Sequence, residues 1–246
     1  GDPSANYIYI GRSATFGHLP ADIDGYMPPP AGTPAMFFEN VANEFGATAD
    51  AILAYEFVPN YTTPALSTLT AKPAVNTAAF DPRDPSGRND VEQPSPATTA
   101  QYLDAIGNRM LQRITYRNLG TVASPVHAYT MNWNVNVSGV NPTTVSTHQE
   151  AVRWTEMRRS GAGVMSIFDQ GTHAPDAVSG TGRNRWMGSI AQDHQGNLAL
   201  GFSRSGVGAT DFPDIVWAGR SGGAVAAGTM NEGEATVFAS TGVQQS

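Results

Sequence analysis

Asn108-Arg109-Met110-Leu111-Gln112-Arg113-Ile114, running on to Gly120, is echoed downstream as Asn184-Arg185-Trp186-Met187-Gly188-Ser189-Ile190, running on to Gly196. The Asn, Arg, Ile and Gly positions match at one offset, 184 − 108 = 76, and each copy leads into a second apolar run, at 127–133 and 198–203. Self-similarity at a fixed period marks modules that each leave an apolar face for a neighbour to cover, as in propellers and solenoids. In the second copy, residues 186–192 read as a strand, Asp193-His194-Gln195-Gly196-Asn197 as a hairpin turn and 198–204 as the returning strand. Two further strands at 214–219 and 235–240 complete a unit of four. The preceding unit has the same order at 109–116, 126–133, 152–158 and 164–168. A four-stranded meander in tandem describes propeller blades. The expected fold is therefore all-β, with about three propeller-type blades in one domain: 1–98 as degenerate first blade or blades with long Pro-rich loops, 99–178 as the next and 179–246 as the last.

Upstream, residues 7–10, 35–41 and 52–58 carry the aromatic and β-branched composition of strands, and 19–34 reads as a loop dense in Pro and Gly. The stretch 76–99, with Pro82, Pro85, Pro94 and Pro96, is a long connection. Such a connection is usually functional or lies on the surface. A short helical turn is expected over 99–106, capped by Thr98 or Thr99.

Composition agrees with a β protein. Charged residues make up only 14% of the 246, Gly (26) and Pro (17) are frequent, and Lys72 is the single lysine. The balance of 14 basic and 21 acidic residues gives −7, with no basic cluster, so nucleic acid and anionic lipid surfaces are poor partners. Absence of cysteine excludes disulfides, thiol catalysis and Cys-ligated metal sites. No apolar run approaches the ~20 residues of a membrane span. Low lysine with abundant Thr, Ser, Asn, Gly and Pro points to an exported bacterial protein, secreted or held at the cell surface, and Gly1-Asp2-Pro3 looks like a product of processing.

Several side chains could carry chemistry. Asp22-Ile23-Asp24-Gly25 has the spacing that sets two carboxylates on one calcium ion, with Gly for the sharp turn; the competing reading is a turn whose carboxylates accept backbone N–H bonds. Asp81, Asp84 and Asp90 form a second acidic group, expected in a solvated loop. Arg109 and Arg185 open equivalent strands, and guanidinium groups converging on a channel could bind a carboxylate or sulfate. The alternative ties each Arg to a buried carboxylate such as Glu156 or Asp176. Arg153, Trp186 and Glu156 belong to the same candidate ligand-binding set, while Trp154, Trp186 and Trp217 suit packing between blades. Glycoside hydrolysis needs a carboxylate pair, for which Glu156, Asp169, Asp176, Asp193, Asp211 and Asp214 are available, with Tyr116 or Tyr129 as conceivable nucleophiles. The five histidines, His18, His127, His148, His173 and His194, show no metal-binding spacing, so a histidine metal site would have to be assembled in space.

Arg153-Trp154-Thr155-Glu156, Gln170-Gly171-Thr172-His173-Ala174-Pro175-Asp176, Arg185-Trp186-Met187-Gly188-Ser189-Ile190-Ala191 and the run from Asp193 to Ser203 occur in one order. In these the chain resembles a family of large secreted bacterial proteins of propeller-like character without an established reaction. The Asp193–Asn197 hairpin is also similar to those of sialidase-type and NHL-type propellers. The resemblance implies export, and it implies that this chain is an interior piece: either it is processed or trimmed from a longer chain, or another polypeptide, such as a product of the same precursor, completes its propeller. Together these readings lead to a scaffold or binding module that presents loops to a glycan or a protein. The alternative is a glycoside-active, sialidase-like or other hydrolytic propeller. Calcium is the one cofactor suggested.

Overall fold

The computed structural model describes residues 17–137, 148–177, 182–222 and 228–245, so the expected strand at 7–10 lies outside the described residues. The class is all-β: among the described residues there is no α-helix, only 3-10 turns at Asn43–Phe45, Pro64–Leu66 and Thr99–Gln101. The last of these is capped by Thr98, whose partner in the capping box is Gln101. Among the described residues no helix is long and apolar enough to cross a membrane.

Two sheets hold the strands. The larger, a nine-stranded sheet curled into a half-barrel, begins with β1 (Leu19–Ile23), β2 (Ala35–Val41), β3 (Ala51–Val58) and β4 (Thr68–Ala71), with β5 (Val75–Asn76) also on β3. It continues through the antiparallel meander β6 (Met110–Asn118), β7 (Val126–Asn136), β8 (Glu150–Ser160) and β9 (Ser166–His173), in the order β4-β3-β2-β1-β6-β7-β8-β9. The smaller sheet is the meander β10 (Asn184–Gln192), β11 (Leu198–Ser205), β12 (Asp214–Arg220) and β13 (Glu234–Phe238). The two copies of the echoed segment thus enter the first strands of the two meanders. Both break register in mid-strand, between Leu111 and Thr115 in β6 and between Trp186 and Ser189 in β10.

The stretch 19–34, expected as loop, contains strand β1. Pro20 has no N–H to give a ladder. The chain meets this by changing partner just past it: Leu19 and Pro20 pair with β2, then Ala21 to Ile23 pair in parallel with Ile114 to Tyr116 of β6. That parallel pairing joins the strands of 1–98 to those of 99–178 in one sheet, across the expected first boundary. The second expected boundary, at 178, lies outside the described residues.

Alternation along β7 decides the packing. Its odd positions Tyr129, Met131, Trp133 and Val135 build the main core with Phe38, Ile52, Ile114 and Met157. Phe80, from the long connection, closes on Trp133 at 5.2 Å between ring centres. Each such fully buried side chain contributes roughly 1.5–3 kcal/mol. The even positions Thr130, Asn132, Asn134 and Asn136 are buried as well. They face the second sheet, whose strand β10 lies over β6, β7 and β8. There Val152 and Trp154 of β8 join Ile190, Leu198, Leu200, Phe202, Val216 and Ala218 in a second core. Gly188 makes the close approach possible. A Cβ at this position would lie 2.7 Å from Val152 Cγ1 and would strike the Asn132 amide. Met187 beside it has a left-handed φ of 53°, which supplies the bulge that turns Gly188 inward.

Candidate functional site

Arg185 is buried and fully committed. Its Nη1 donates to Asp176 Oδ1 at 2.5 Å, and Nε and Nη2 grip Glu234 at 2.5 and 3.2 Å. Glu234 also receives His173 Nε2 at 2.9 Å and Arg204 Nη1 at 2.9 Å. Burial acts to raise the Glu234 carboxyl, but the hydrogen bonds from His173 and Arg185 override it and hold the group far below the usual carboxylate range. This knot ties β9, β10, β11 and β13 together. Of the two carboxylates expected to hold Arg185, Asp176 does so and Glu156 does not.

Glu156 belongs to a second buried knot with Arg220, treated in the Discussion, and its Oε1 takes Arg158 at 2.6 Å. Arg153 is buried on the other face of β8, bonded to Gln170 Oε1 at 2.7 Å, Thr172 Oγ1 at 3.1 Å and the Ala78 carbonyl at 3.3 Å, and burial lowers its pKa. Trp186 packs with Val91 and Ala105 and so clamps the long connection onto β10. Arg109 is exposed, with Nε 3.1 Å from Asn108 Oδ1. The structure therefore does not bring Arg109, Arg153, Arg185, Trp186 and Glu156 into one open site. Tyr116 and Tyr129 are buried; burial pushes the Tyr116 hydroxyl up to about 12 and Tyr129 higher, so neither is poised as a nucleophile at neutral pH. Asp193 is a turn residue, accepting backbone N–H bonds from Gln195 and Asn197.

Asp22 and Asp24 sit at the end of β1, and the Arg113 guanidinium lies on both. Its Nη2 donates to the two Asp24 oxygens at 2.6 and 2.8 Å. A calcium ion at this position would have to displace a guanidinium.

The acidic group expected in a solvated loop is largely buried: Asp81 and Asp90 are almost fully shielded and Asp84 is half-buried. The connection is stitched to the polar face of β7, where the Asn136 N–H donates to the Asp81 carbonyl at 2.7 Å and the Asn134 amide donates to the Ala105 carbonyl. That lays Asp84 against the start of β8. His148 and Glu150 lie two residues apart there and share one side of the chain. The Glu150 N–H donates to Asn184 Oδ1 at 2.8 Å, so the Asn that opens the second echoed segment positions this carboxylate.

Asp84, His148 and Glu150 present one ligand atom each, all within 4.8 Å of one another. Burial, then the neighbouring Glu150, pushes the Asp84 carboxyl up to about 8. Burial also lifts Glu150 to about 8, with Asp90, Asp81 and Asp104 adding repulsion against the hydrogen bond from Asp84. Burial lowers the His148 imidazole. These residues could hold a cation. Asp84 further lines a cleft of about 420 Å³ together with Arg83, Arg88, Asp104 and Arg109. The sequence signals were the His-x-Glu alternation at 148–150 and the acidic loop; 64 residues separate His148 from Asp84, which hid their meeting.

No family model, curated protein or solved structure matches the chain.

Proposed function

We propose that this chain is a secreted or cell-surface β module that serves as a scaffold or binding subunit of a larger assembly, with a second polypeptide covering the outer face of β10–β12. The observation that carries this reading is the chemistry of that face. Cross-strand rows put Ser189, Gly201 and Trp217 side by side, then Ala191 and Ala199, then Ser203 and Ile215, with Met187 at the bulge. None of these eight positions is charged. Trp217 is 41% and Ile215 51% exposed, and Val237 and Phe238 on β13 are more open still. A sheet face of small residues with a few large apolar ones, bordered by the Glu232 carboxylate over Gly219, fits the face of another sheet, which packs about 10 Å away. The outer edge of β13 pairs with nothing among the described residues and extends the same surface.

The family resemblance supports export and a larger propeller-like assembly, in which the two four-stranded meanders would be blades. A glycosidase reading has less support, because Arg185, Glu156 and Asp169 are each engaged in ion pairs. The test is the mass of the native material. We expect the 25.9 kDa chain to travel with a second polypeptide, and Trp217→Glu to release it while the urea midpoint of the isolated chain stays near wild type. Native material that runs as a lone chain sinks the idea, as does a Trp217→Glu variant that keeps its partner.

A further inference from the structure

The cluster at the start of β8 differs from the carboxylates around it in one respect. Each neighbour has its own donor: Asp81 takes Arg83 through two bonds of 2.9 and 2.8 Å, Asp90 takes the Ser86 N–H at 2.9 Å, and Asp104 takes Arg88 at 2.6 Å. The central three side chains have only one another, with Asp84 hydrogen-bonded to Glu150. Asp84 Oδ1, Glu150 Oε2 and both ring nitrogens of His148 are buried without a hydrogen-bond partner among the described residues. His148 Nε2 is 3.0 Å from Glu150 Oε1 without the geometry of a hydrogen bond. His148 is 3% and Glu150 1% exposed. A buried imidazole with neither nitrogen bonded, beside carboxyl oxygens without donors, costs several kcal/mol unless something satisfies them.

We infer that Asp84, His148 and Glu150 bind one divalent transition-metal ion. Two carboxylate oxygens and one imidazole nitrogen suit zinc or manganese, whereas calcium favours six to eight oxygens. Ligands about 2.0–2.2 Å from an ion stand at most about 4 Å apart, so a spread within 4.8 Å closes on an ion with small side-chain rotations. The surrounding shell is of the kind that fixes metal ligands: Asn184 holds the Glu150 backbone, and Gly107, where a Cβ would lie 2.6 Å from the Pro82 carbonyl, lets the connection pass close to Asp84. Asp90, held by the Ser86 N–H rather than by an arginine, adds negative charge that favours a cation. Asp84 opens onto the 420 Å³ cleft, which gives the ion a route to solvent and leaves coordination positions for water.

The experiment strips the purified chain with EDTA, dialyses it, and titrates it calorimetrically with ZnCl2 or MnCl2, with bound metal counted by mass spectrometry. One ion per chain is expected, and cobalt in its place should give visible d–d absorption. His148→Ala should weaken binding on the order of 100-fold and Asp84→Asn on the order of 10-fold or more. Asp84→Asn, at the least buried ligand, should keep the wild-type circular dichroism and so separates lost ligation from lost folding. Binding of neither ion by the wild type would overturn the inference. So would unchanged affinity in both variants, which would move the ion to another histidine, or displacement of zinc by equimolar calcium.

Discussion

Arg220 Nη2 donates to Glu156 Oε2 at 2.7 Å, and neither side chain has any solvent exposure. The same guanidinium reaches Asp169 Oδ2 at 2.5 Å and the Gly196 carbonyl at 2.9 Å, and stands 5.5 Å from the centre of the Trp154 ring. One side chain from the end of β12 therefore bridges two carboxylates that face each other across β8 and β9, with Arg158 as the second cation on Glu156, and it locks the second sheet onto the first. Truncating it takes the guanidinium from Asp169 and leaves Glu156 with Arg158 alone, both in a buried setting. Arg220→Met should destabilise the protein by about 3–5 kcal/mol, read as a lower urea midpoint, and adding Glu156→Gln and Asp169→Asn should recover part of that loss. A single variant within about 0.5 kcal/mol of wild type would show that the knot is not a structural lock.

Gly188 sets the distance between the sheets. Gly188→Val must push Val152 and Asn132 away, at a cost of about 1–3 kcal/mol or more. Met187→Gly, on the exposed side of the same bulge, should be neutral or slightly stabilising because it relieves a positive φ. Thermal melts of the pair decide this, and equal effects would argue against a packing limit at Gly188.

Acid should loosen the second sheet first. The Glu234 pKa is depressed in the folded state, so its contribution is fully present above the unfolded value of about 4.3 and is lost as pH falls through the lower folded value. Asp176, lowered by Arg185 against the opposing effect of burial, behaves the same way. Stability should therefore drop below about pH 4, and Glu234→Gln, already weakened at neutral pH, should show a shallower acid slope. Parallel slopes for the two proteins would place the acid sensitivity elsewhere.

Calcium offers a contrast with the transition-metal site. With Arg113 on Asp22 and Asp24, millimolar CaCl2 should leave the melting temperature unchanged, whereas Arg113→Ala should make the same carboxylates responsive. A calcium-dependent rise in the wild type that Asp24→Asn removes would restore these two residues as ligands.

The strands of both meanders were legible because their residues alternate and their turns carry local chemistry. Asp193 to Asn197 specifies its own hairpin, since the Asp193 carboxylate caps two backbone N–H groups and Gly196 takes a φ of 85°. β1 escaped notice because Pro20 and the glycines around it speak for a loop, and only the partners on either side turn Leu19–Ile23 into a strand. The solvated-loop reading of Asp81, Asp84 and Asp90 failed for the same kind of reason. Their burial comes from Asn134 and Asn136, residues of a strand whose polar positions look solvent-facing until a second sheet covers them.

By itself the sequence determined the β class and the two four-stranded meanders, because alternation and turn residues are local matters, while it left Arg185 open between a ligand and a buried carboxylate. Tertiary structure alone decided that β1 and β6 pair in parallel to merge the first strands with the first meander. It also decided that the polar face of β7 is an interior face, and that Asp84 meets His148 and Glu150. Each of these depends on which surfaces come into contact across tens of residues, and no short-range pattern encodes that choice.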